Sequence, residues 1–399
     1  MKVSIKKGKA EGVVLAPPSK SAAHRYLICA ALAGKGKISN IAFSKDIEAT
    51  LNCLKSLGAQ FNICGNTVEF FGGLNPQDNI TLDCFESGST LRFFIPIALC
   101  FNKKIKFIGS SRLFERPLSV YEDIAKEQGF LYEKNGSSLI VCGALKCGEY
   151  KVAGDISSQF ITGLMFALSL LGGENKITLT SSLQSGSYID MTIDALSKFG
   201  INIGIEEDIF IINGSDNFLP NNLAVEGDYS NAAFFHALNY VGCSVQVQGL
   251  DSNSLQGDKV YCEYFEKLIK GNAVLSLADC PDLAPVLMAV AAANKGGKFI
   301  HTKRLKIKES DRGNAMREEL EKFGAKILVE EDYIEVFPCE LHTPKETLKS
   351  HNDHRIVMAL SVLCTRFGGE IEDAQAVEKS MPDFFEKLES INIEVEKWN

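Results

Sequence analysis

Apolar residues recur along this chain in helical stretches that stop at glycine or asparagine and give way to short alternating strands. "LKSLGAQFNI", "AKEQGFLYE", "LSKFGINIGI", "LIKGNAVLSL", "LEKFGAKILV" and "LESINIEVE" share this form, with stops at Gly58, Gly129, Gly200, Gly271, Gly324 and Asn392. Glycine and asparagine are the residues that accept the left-handed backbone of a helix C-cap. The stops lie 71, 71, 71, 53 and 68 residues apart. After most of them comes a strand, a polar turn and a second strand, as in "FNICGNTVEFFG", "NIGIEEDIFIING" and "ILVEEDYIEVFP". The pattern predicts one unit of strand, helix, strand, helix and strand pair, copied six times.

A second set of landmarks runs in step with the first. Small polar clusters precede apolar helices at Ser21, Ser89, Ser158, Ser230, Asp282 and Asp353, spaced 68, 69, 72, 52 and 71 residues apart. The short fourth interval appears in both series. One hydroxyl or carboxylate per helix is what N-capping needs. "PSKSAAHR", "ESGSTLR" and "DISSQF" carry more, adding second hydroxyls together with lysine, arginine or glutamine. Open N–H groups and the peptide dipoles make such helix starts attractive to anions.

Composition narrows the reading. The chain has 399 residues, 45% of them hydrophobic and 23% charged, with a formal charge of −8. That length accommodates two or more domains, and the acidic balance argues against a general nucleic-acid or acidic-membrane binder. The basic start "MKVSIKKGKAEGVV" has no apolar run behind it, and no window is long and apolar enough to span a membrane. Twelve cysteines are scattered without C-x-x-C pairs or zinc spacing, which predicts reduced thiols, no metal and a cytoplasmic location. Nucleotide loops of the G-x-x-x-x-G-K-[ST] and G-x-G-x-x-G kinds are missing, as is a G-x-S-x-G elbow.

The candidate chemistry clusters at the helix starts. Ser21 and Arg25 share a helix face behind Lys20. Gly88, Ser89 and Arg92 repeat that arrangement, and Arg116 precedes a proline suited to opening a helix. Ser157, Ser158 and Gln159 stand before a uniformly apolar helix, followed by Ser185 and Tyr188 in "QSGSYID". In "KIKESDR", Ser310 reads as the cap of a helix running to Phe323, with Lys308, Glu309 and Arg312 at its mouth. Asp353, His354 and Arg355 head another apolar helix, where either proton transfer or anion binding fits, and Lys379 precedes a further helix-starting proline. Counted this way, eight cations face two carboxylates, Asp282 and Glu309, as suits a highly anionic, doubly phosphorylated ligand set with acid–base groups in attendance.

In order along nearly the whole chain, "PSKSAAHR", "SGSTLR", "ERP", "SSQF", "SGSYID", "EGDYSNAAFF", "PDLAP", "KIKESDR", "NDHR" and "KSMPDFF" resemble the 5-enolpyruvylshikimate-3-phosphate (EPSP) synthase family. The resemblance implies an α/β fold, a two-domain inside-out α/β barrel of six βαβαββ repeats, three per domain. It places residues 1–18 with 227–399 in one domain and 19–226 in the other, closing over the substrates. It implies transfer of the enolpyruvyl group of phosphoenolpyruvate to the 5-hydroxyl of shikimate 3-phosphate, without metal or organic cofactor, by a cytoplasmic monomer. Shikimate 3-phosphate falls to Lys20, Ser21, Arg25, Ser157, Ser158, Gln159, Ser185, Tyr188, Asp282 and Lys308. Phosphoenolpyruvate falls to Lys20, Gly88, Arg92, Arg116, Gln159, Arg312, His354, Arg355 and Lys379. Asp282 and Glu309, with Lys20, carry the catalysis.

Three positions depart from the family pattern. Glu86 replaces a common asparagine, Ser89 a threonine, and Arg304 an asparagine whose substrate contact is not transferred. Two other readings share some of these features. A UDP-N-acetylglucosamine enolpyruvyl transferase would need a cysteine in a mobile Gly/Arg-rich loop, and no such loop is present. A DNA sliding clamp also repeats six αβ units and is acidic, but it would need basic residues along helix faces to meet phosphates.

Overall fold

A computed structural model describes residues 1–214 and 217–398. It divides into two compact units, Pro18–Glu226 and a second made of Met1–Pro17 with Gly227–Asn399. In the first unit lie α1 (Lys20–Ala33), α2 (Lys45–Ser56), α3 (Gly88–Leu99), α4 (Ser111–Glu115), α5 (Ser119–Gln128), α6 (Ser158–Leu168) and α7 (Gly186–Lys198). The second holds α8 (Tyr229–Ala237), α9 (Tyr261–Lys270), α10 (Ala284–Ala293), α11 (Arg312–Glu321), α12 (His354–Phe367) and α13 (Phe384–Ser390).

Each four-stranded sheet repeats one topology. In the stretch 149–214, Glu149–Val152 pairs in parallel with Gly173–Leu179, with α6 between them. The antiparallel hairpin Ile203–Glu206 and Ile209–Gly214 then adds to the far edge of Gly173–Leu179. Residues 80–142 repeat the order. Near the start of that unit the parallel partner comes from its end, since Asn221–Ala224 pairs with Gly36–Ser39. The other unit closes in a similar way: Lys2–Ile5 inserts between Gly369–Glu372 and Val395–Trp398.

All six predicted stops have positive φ, 96°, 76°, 85°, 90° and 91° at Gly58, Gly129, Gly200, Gly271 and Gly324, and 66° at Asn392, although Gly271, with ψ of 168°, is extended rather than in the αL cap conformation. The fourth copy departs from the expected unit. Behind α9 and Gly271 there is no hairpin; Val274–Ser276 pairs in parallel with Gly297–Ile300 and is already the first strand of the next copy. Its sheet therefore has two strands only, Glu11–Leu15 and Ser244–Gln248. The missing strand pair is the physical reason for the short 53-residue interval.

Helices lie inside and sheets outside in both units. Every residue of α3 except Ser89 is buried, as are nine of the ten in α10. The strands alternate, as in Ser138–Cys142, where Leu139 and Val141 are buried and their neighbours partly exposed. A helix buried all round packs where side chains are small. At Gly163 of α6 a Cβ would lie 2.4 Å from the Arg92 carbonyl of α3 and 2.6 Å from the Tyr121 hydroxyl, so only glycine lets the helices approach this closely. Such packing fixes the polar starts of the buried helices relative to their neighbours.

Candidate active site

In Pro18–Glu226 the hydroxyl clusters divide into caps and spare groups. Ser19, Ser87 and Ser157 accept from the N–H groups of Ala22, Thr90 and Gln159, capping α1, α3 and α6. That leaves Ser21, Ser89 and Ser158 beyond what capping requires. Lys20, the first residue of α1, reaches Asp46 Oδ2 on α2 at 2.7 Å. A buried chain ties these helices together: His24 Nδ1 to Thr50 Oγ1 at 2.8 Å, Thr50 to Thr90 at 2.7 Å, and Thr90 to the cap Ser87 at 2.7 Å. Burial, with Lys20 and Arg25 nearby, holds the His24 imidazole well below its usual pKa and so neutral.

Arg25 is buried and serves as a brace. Nε donates to Thr192 Oγ1 (2.9 Å), Nη1 to the Ser21 carbonyl (2.7 Å) and Nη2 to the Tyr188 carbonyl (2.8 Å). Burial lowers its pKa to about 10, a shift opposed by Tyr188 and neighbouring groups, so it stays cationic at neutral pH. Through Arg25 the start of α1 is joined to α7, whose cap residue Ser185 is itself left-handed (φ 59°). Thr162 of α6 meets Thr192 of α7 at 2.9 Å, bringing Ser157 and Ser158 into the same framework.

Around the start of α3 the arrangement is tighter. Arg92 Nη1 donates to Gln159 Oε1 (2.7 Å) and Nη2 to the Pro117 carbonyl (3.0 Å), while Gln159 Nε2 reaches Ser89 Oγ at 3.0 Å. Arg116 ends α4, and Pro117 stands two residues ahead of α5 rather than opening it. The Arg116 guanidinium lies against Gly88, where a Cβ would be 2.5 Å from Nη1. Gly88, Ser89, Arg92, Arg116 and Gln159 thus form one cationic group at a helix N-terminus.

In the unit holding Gly227–Asn399 the centre is Asp282, on a short helical turn (Pro281–Leu283) ahead of α10. Its Oδ1 accepts from Lys308 Nζ (3.2 Å) and Arg312 Nη1 (2.7 Å), and Oδ2 from Arg355 Nη2 (3.1 Å). Arg312, 1% exposed, also binds Glu309 Oε2 (Nη2, 2.7 Å) and Asp353 Oδ2 (Nε, 2.8 Å). Arg355 Nη1 donates to Ser230 Oγ at 2.5 Å. Asp353 caps α12, accepting from the Arg355 N–H at 2.9 Å, with buried His354 beside it. Lys379 donates to the Asn352 carbonyl at 2.6 Å.

Two expectations are corrected here. The helix behind "KESDR" is capped by Asp311 and ends at Glu321; Ser310 turns away and donates to Asp353 Oδ2 at 3.1 Å. Serine and aspartate cap about equally well, so adjacent candidates are not separable locally. The charge count is also less one-sided than expected, because Asp353 and Asp46 join Asp282 and Glu309. Lys308, Arg312 and Arg355 meet Asp282, Glu309 and Asp353, three charges of each sign. Asp46 does the same for Lys20. No signal in the sequence joins Lys20 to Asp46 or Arg312 to Asp353, since those pairings are made by tertiary packing.

Electrostatics follow from this balance. Burial pushes the Asp282 carboxyl up, but Arg355, Lys308 and Arg312 outweigh it and hold the group well below the usual carboxylate range. Burial lowers Lys308, with Asp282 opposing, whereas Arg312 is held above its ordinary value because its three carboxylates overcome burial. Asp258 was not anticipated. Burial and the Asp282 charge push it up to about 7, against the pull of Arg355 and the Ser230 hydroxyl. Arg304 donates to the Ala278 carbonyl.

Comparison with known proteins now adds to the geometry. Residues 5–388 match the family described as EPSP synthase (3-phosphoshikimate 1-carboxyvinyltransferase). The chain is 42% identical to the 3-phosphoshikimate 1-carboxyvinyltransferase of Clostridium kluyveri, over 100% of this chain and 99% of that one. It is also 42% identical to the Clostridium perfringens protein of the same name, covering 98% of each. In fold it resembles an EPSP synthase from Acinetobacter baumannii (TM-score 0.80, 22% identity, 99% and 100% covered). The enolpyruvyl transferase NikO from Streptomyces tendae is similar in fold as well (TM-score 0.79, 13% identity, 99% and 98% covered). The fold is the two-domain inside-out α/β class of enolpyruvyl transferases. The chain belongs to the EPSP synthase family. Neither the UDP-N-acetylglucosamine transferase nor the sliding-clamp reading is favoured. Among the described residues no helix is long and apolar enough to cross a membrane.

Proposed function

We propose that this chain transfers the enolpyruvyl group of phosphoenolpyruvate to the 5-hydroxyl of shikimate 3-phosphate by addition and elimination, releasing phosphate. The observation that carries this reading is the network in which Asp282 and Glu309 share Arg312, with Lys308 and Arg355 closing on Asp282. It combines groups able to move protons with cations able to hold phosphate.

Addition needs a proton at the methylene carbon of phosphoenolpyruvate and removal of one from the attacking hydroxyl. Asp282 and Glu309 are assigned to that traffic. While three cations hold Asp282, its carboxylate is a weak base. Anionic substrates that draw on those cations raise its proton affinity at the moment of binding. Lys308 is assigned with Asp282 to shikimate 3-phosphate, and Arg312, His354, Arg355 and Lys379 to phosphoenolpyruvate.

In Pro18–Glu226, the starts of α1, α6 and α7 supply Lys20, Ser21, Arg25, Ser157, Ser158, Ser185 and Tyr188 for shikimate 3-phosphate. Gly88, Arg92 and Arg116 serve phosphoenolpyruvate, and Lys20 and Gln159 serve both. Preorganised cations of this kind stabilise a departing phosphate without rearrangement during the reaction. Residues 1–18 with 227–399, and 19–226, act as the two catalytic domains of a cytoplasmic monomer.

The test is an acceptor comparison. With phosphoenolpyruvate and shikimate 3-phosphate, NMR of the products is expected to show an enolpyruvyl ether at the 5-oxygen. With UDP-N-acetylglucosamine as acceptor none is expected; an ether on the nucleotide sugar instead would overturn the assignment.

A further inference from the structure

We propose that Glu319 and His351 form a positioning pair that holds the Asn352 carbonyl toward Lys379, and so sets Lys379 for phosphoenolpyruvate. The inference rests on the assignment of Lys379 to that substrate. Arg312 and Glu319 lie seven residues apart on α11, two turns along the same face. Both reach the segment between Leu348–Lys349 and α12. Arg312 Nε binds Asp353 at 2.8 Å, and Glu319 Oε1 meets His351 Nε2 at 2.9 Å. One helix face therefore grips this segment at two points, two residues apart.

The backbone from the first grip toward the second is left-handed. His351 and Asn352 are consecutive residues in the left-handed region, with φ of 49° and 53°. Asparagine accepts this backbone readily and histidine less so, which makes His351 the residue that needs a partner to hold it there. The conformation turns the Asn352 carbonyl to Lys379 Nζ at 2.6 Å and delivers Asp353 to the cap of α12. Arg312 secures the Asp353 side, and the His351 side depends on Glu319.

Glu319 is built as a fixed anchor. Its carboxylate is 0% exposed, and its Oε2 also accepts from Lys322 Nζ and the Lys349 N–H, both at 2.8 Å. Burial raises its pKa, but the bonds from His351, Lys322 and Lys349 prevail and keep it ionised. Glu318, Glu319 and His351 lie close enough to suggest a metal site. With three donors already on the Glu319 oxygens, the geometry is that of a hydrogen-bonded brace. His351 is 22% exposed and its Nε2 faces Glu319 and, at 4.0 Å, Glu318, neither of them assigned to substrate, so its effect is expected to run through Lys379.

The experiment compares His351→Leu, His351→Gln, Lys379→Met and the His351→Leu/Lys379→Met double variant in the full chain. His351→Leu is expected to raise the KM for phosphoenolpyruvate about tenfold and leave that for shikimate 3-phosphate within about twofold. His351→Gln, whose amide can still donate to Glu319, is expected to recover most of that loss. The double variant is expected to be no worse than Lys379→Met alone. A crystal structure of His351→Leu is expected to show Asn352 out of the left-handed region and its carbonyl turned from Lys379. An Asn352 backbone unmoved in that structure would overturn the inference whatever the kinetics. So would additive effects in the double variant. If Asn352 moves but Lys379→Met leaves the phosphoenolpyruvate KM unchanged, the assignment of Lys379 fails and takes the substrate role of the pair with it.

Discussion

Asp282→Asn is expected to lower kcat by about 10²-fold or more while leaving the fold intact. The substitution keeps the size of the side chain and removes its charge and proton chemistry. Lys308, Arg312 and Arg355 then face an amide instead of the carboxylate that receives all three. Those cations, relieved of one partner, are free to hold anionic substrate at least as well as before. The KM for phosphoenolpyruvate is therefore expected to stay level or fall as kcat collapses. Steady-state kinetics with circular dichroism as a folding control checks this. A well-folded variant with near-native turnover would remove Asp282 from the chemistry. A rise in KM with kcat unchanged would make it a binding group only.

Gly88→Ala carries the second large effect. A methyl at this position would lie 2.5 Å from Arg116 Nη1 and 2.8 Å from both Cζ and Nη2. No side chain tolerates such contacts, so the guanidinium must move away from the start of α3. Gly88 is not among the residues with positive φ, and alanine strains no backbone there. The consequence is confined to where the Arg116 charge sits. Displacing a positioning cation by about an ångström costs on the order of 10²-fold. We expect kcat/KM for phosphoenolpyruvate to fall by about that factor, with the KM for shikimate 3-phosphate within about twofold of native. Unchanged phosphoenolpyruvate kinetics would show that Arg116 serves another purpose.

Local chemistry decides which parts of this architecture can be read from the chain. Gly58, Gly129, Gly200, Gly271, Gly324 and Asn392 are legible because a stop with positive φ restricts the residue that occupies it. Starts such as Ser19, Ser87 and Asp353 are legible within a residue or two, because capping is also local. The unit closures are different. Asn221–Ala224 pairs with Gly36–Ser39, and Lys2–Ile5 with Val395–Trp398, across most of a unit or of the chain. No short window encodes such pairings. The missing strand pair after Gly271 left only its interval as a trace, because "NAVLSL" alternates as well in a first strand as in a hairpin.

The same division runs through the candidate site. Lysine, arginine and hydroxyl groups at helix starts stand out in the sequence, but their counter-charges do not. Asp46 reads as an ordinary acid in the first turn of α2, and only packing brings it to Lys20. Asp258 follows a glycine in "LQGDKVY" with no sign that it will be buried near Asp282 and Arg355. Glu319 falls on a polar helix, "RGNAMREELE", where a solvated side chain would be the ordinary expectation; it is fully buried. A sequence read alone therefore overstates the net positive charge offered to substrate. In the structure much of that charge is already balanced and must be shared with an arriving anion.

Enolpyruvyl transfer is tested most directly by following inorganic phosphate from the purified protein with both substrates present, then with each omitted in turn. Release is expected only with the complete pair, saturating in each and stoichiometric with loss of phosphoenolpyruvate. Phosphate appearing at the same rate without shikimate 3-phosphate, or none at all from well-folded protein supplied with both, would contradict the account.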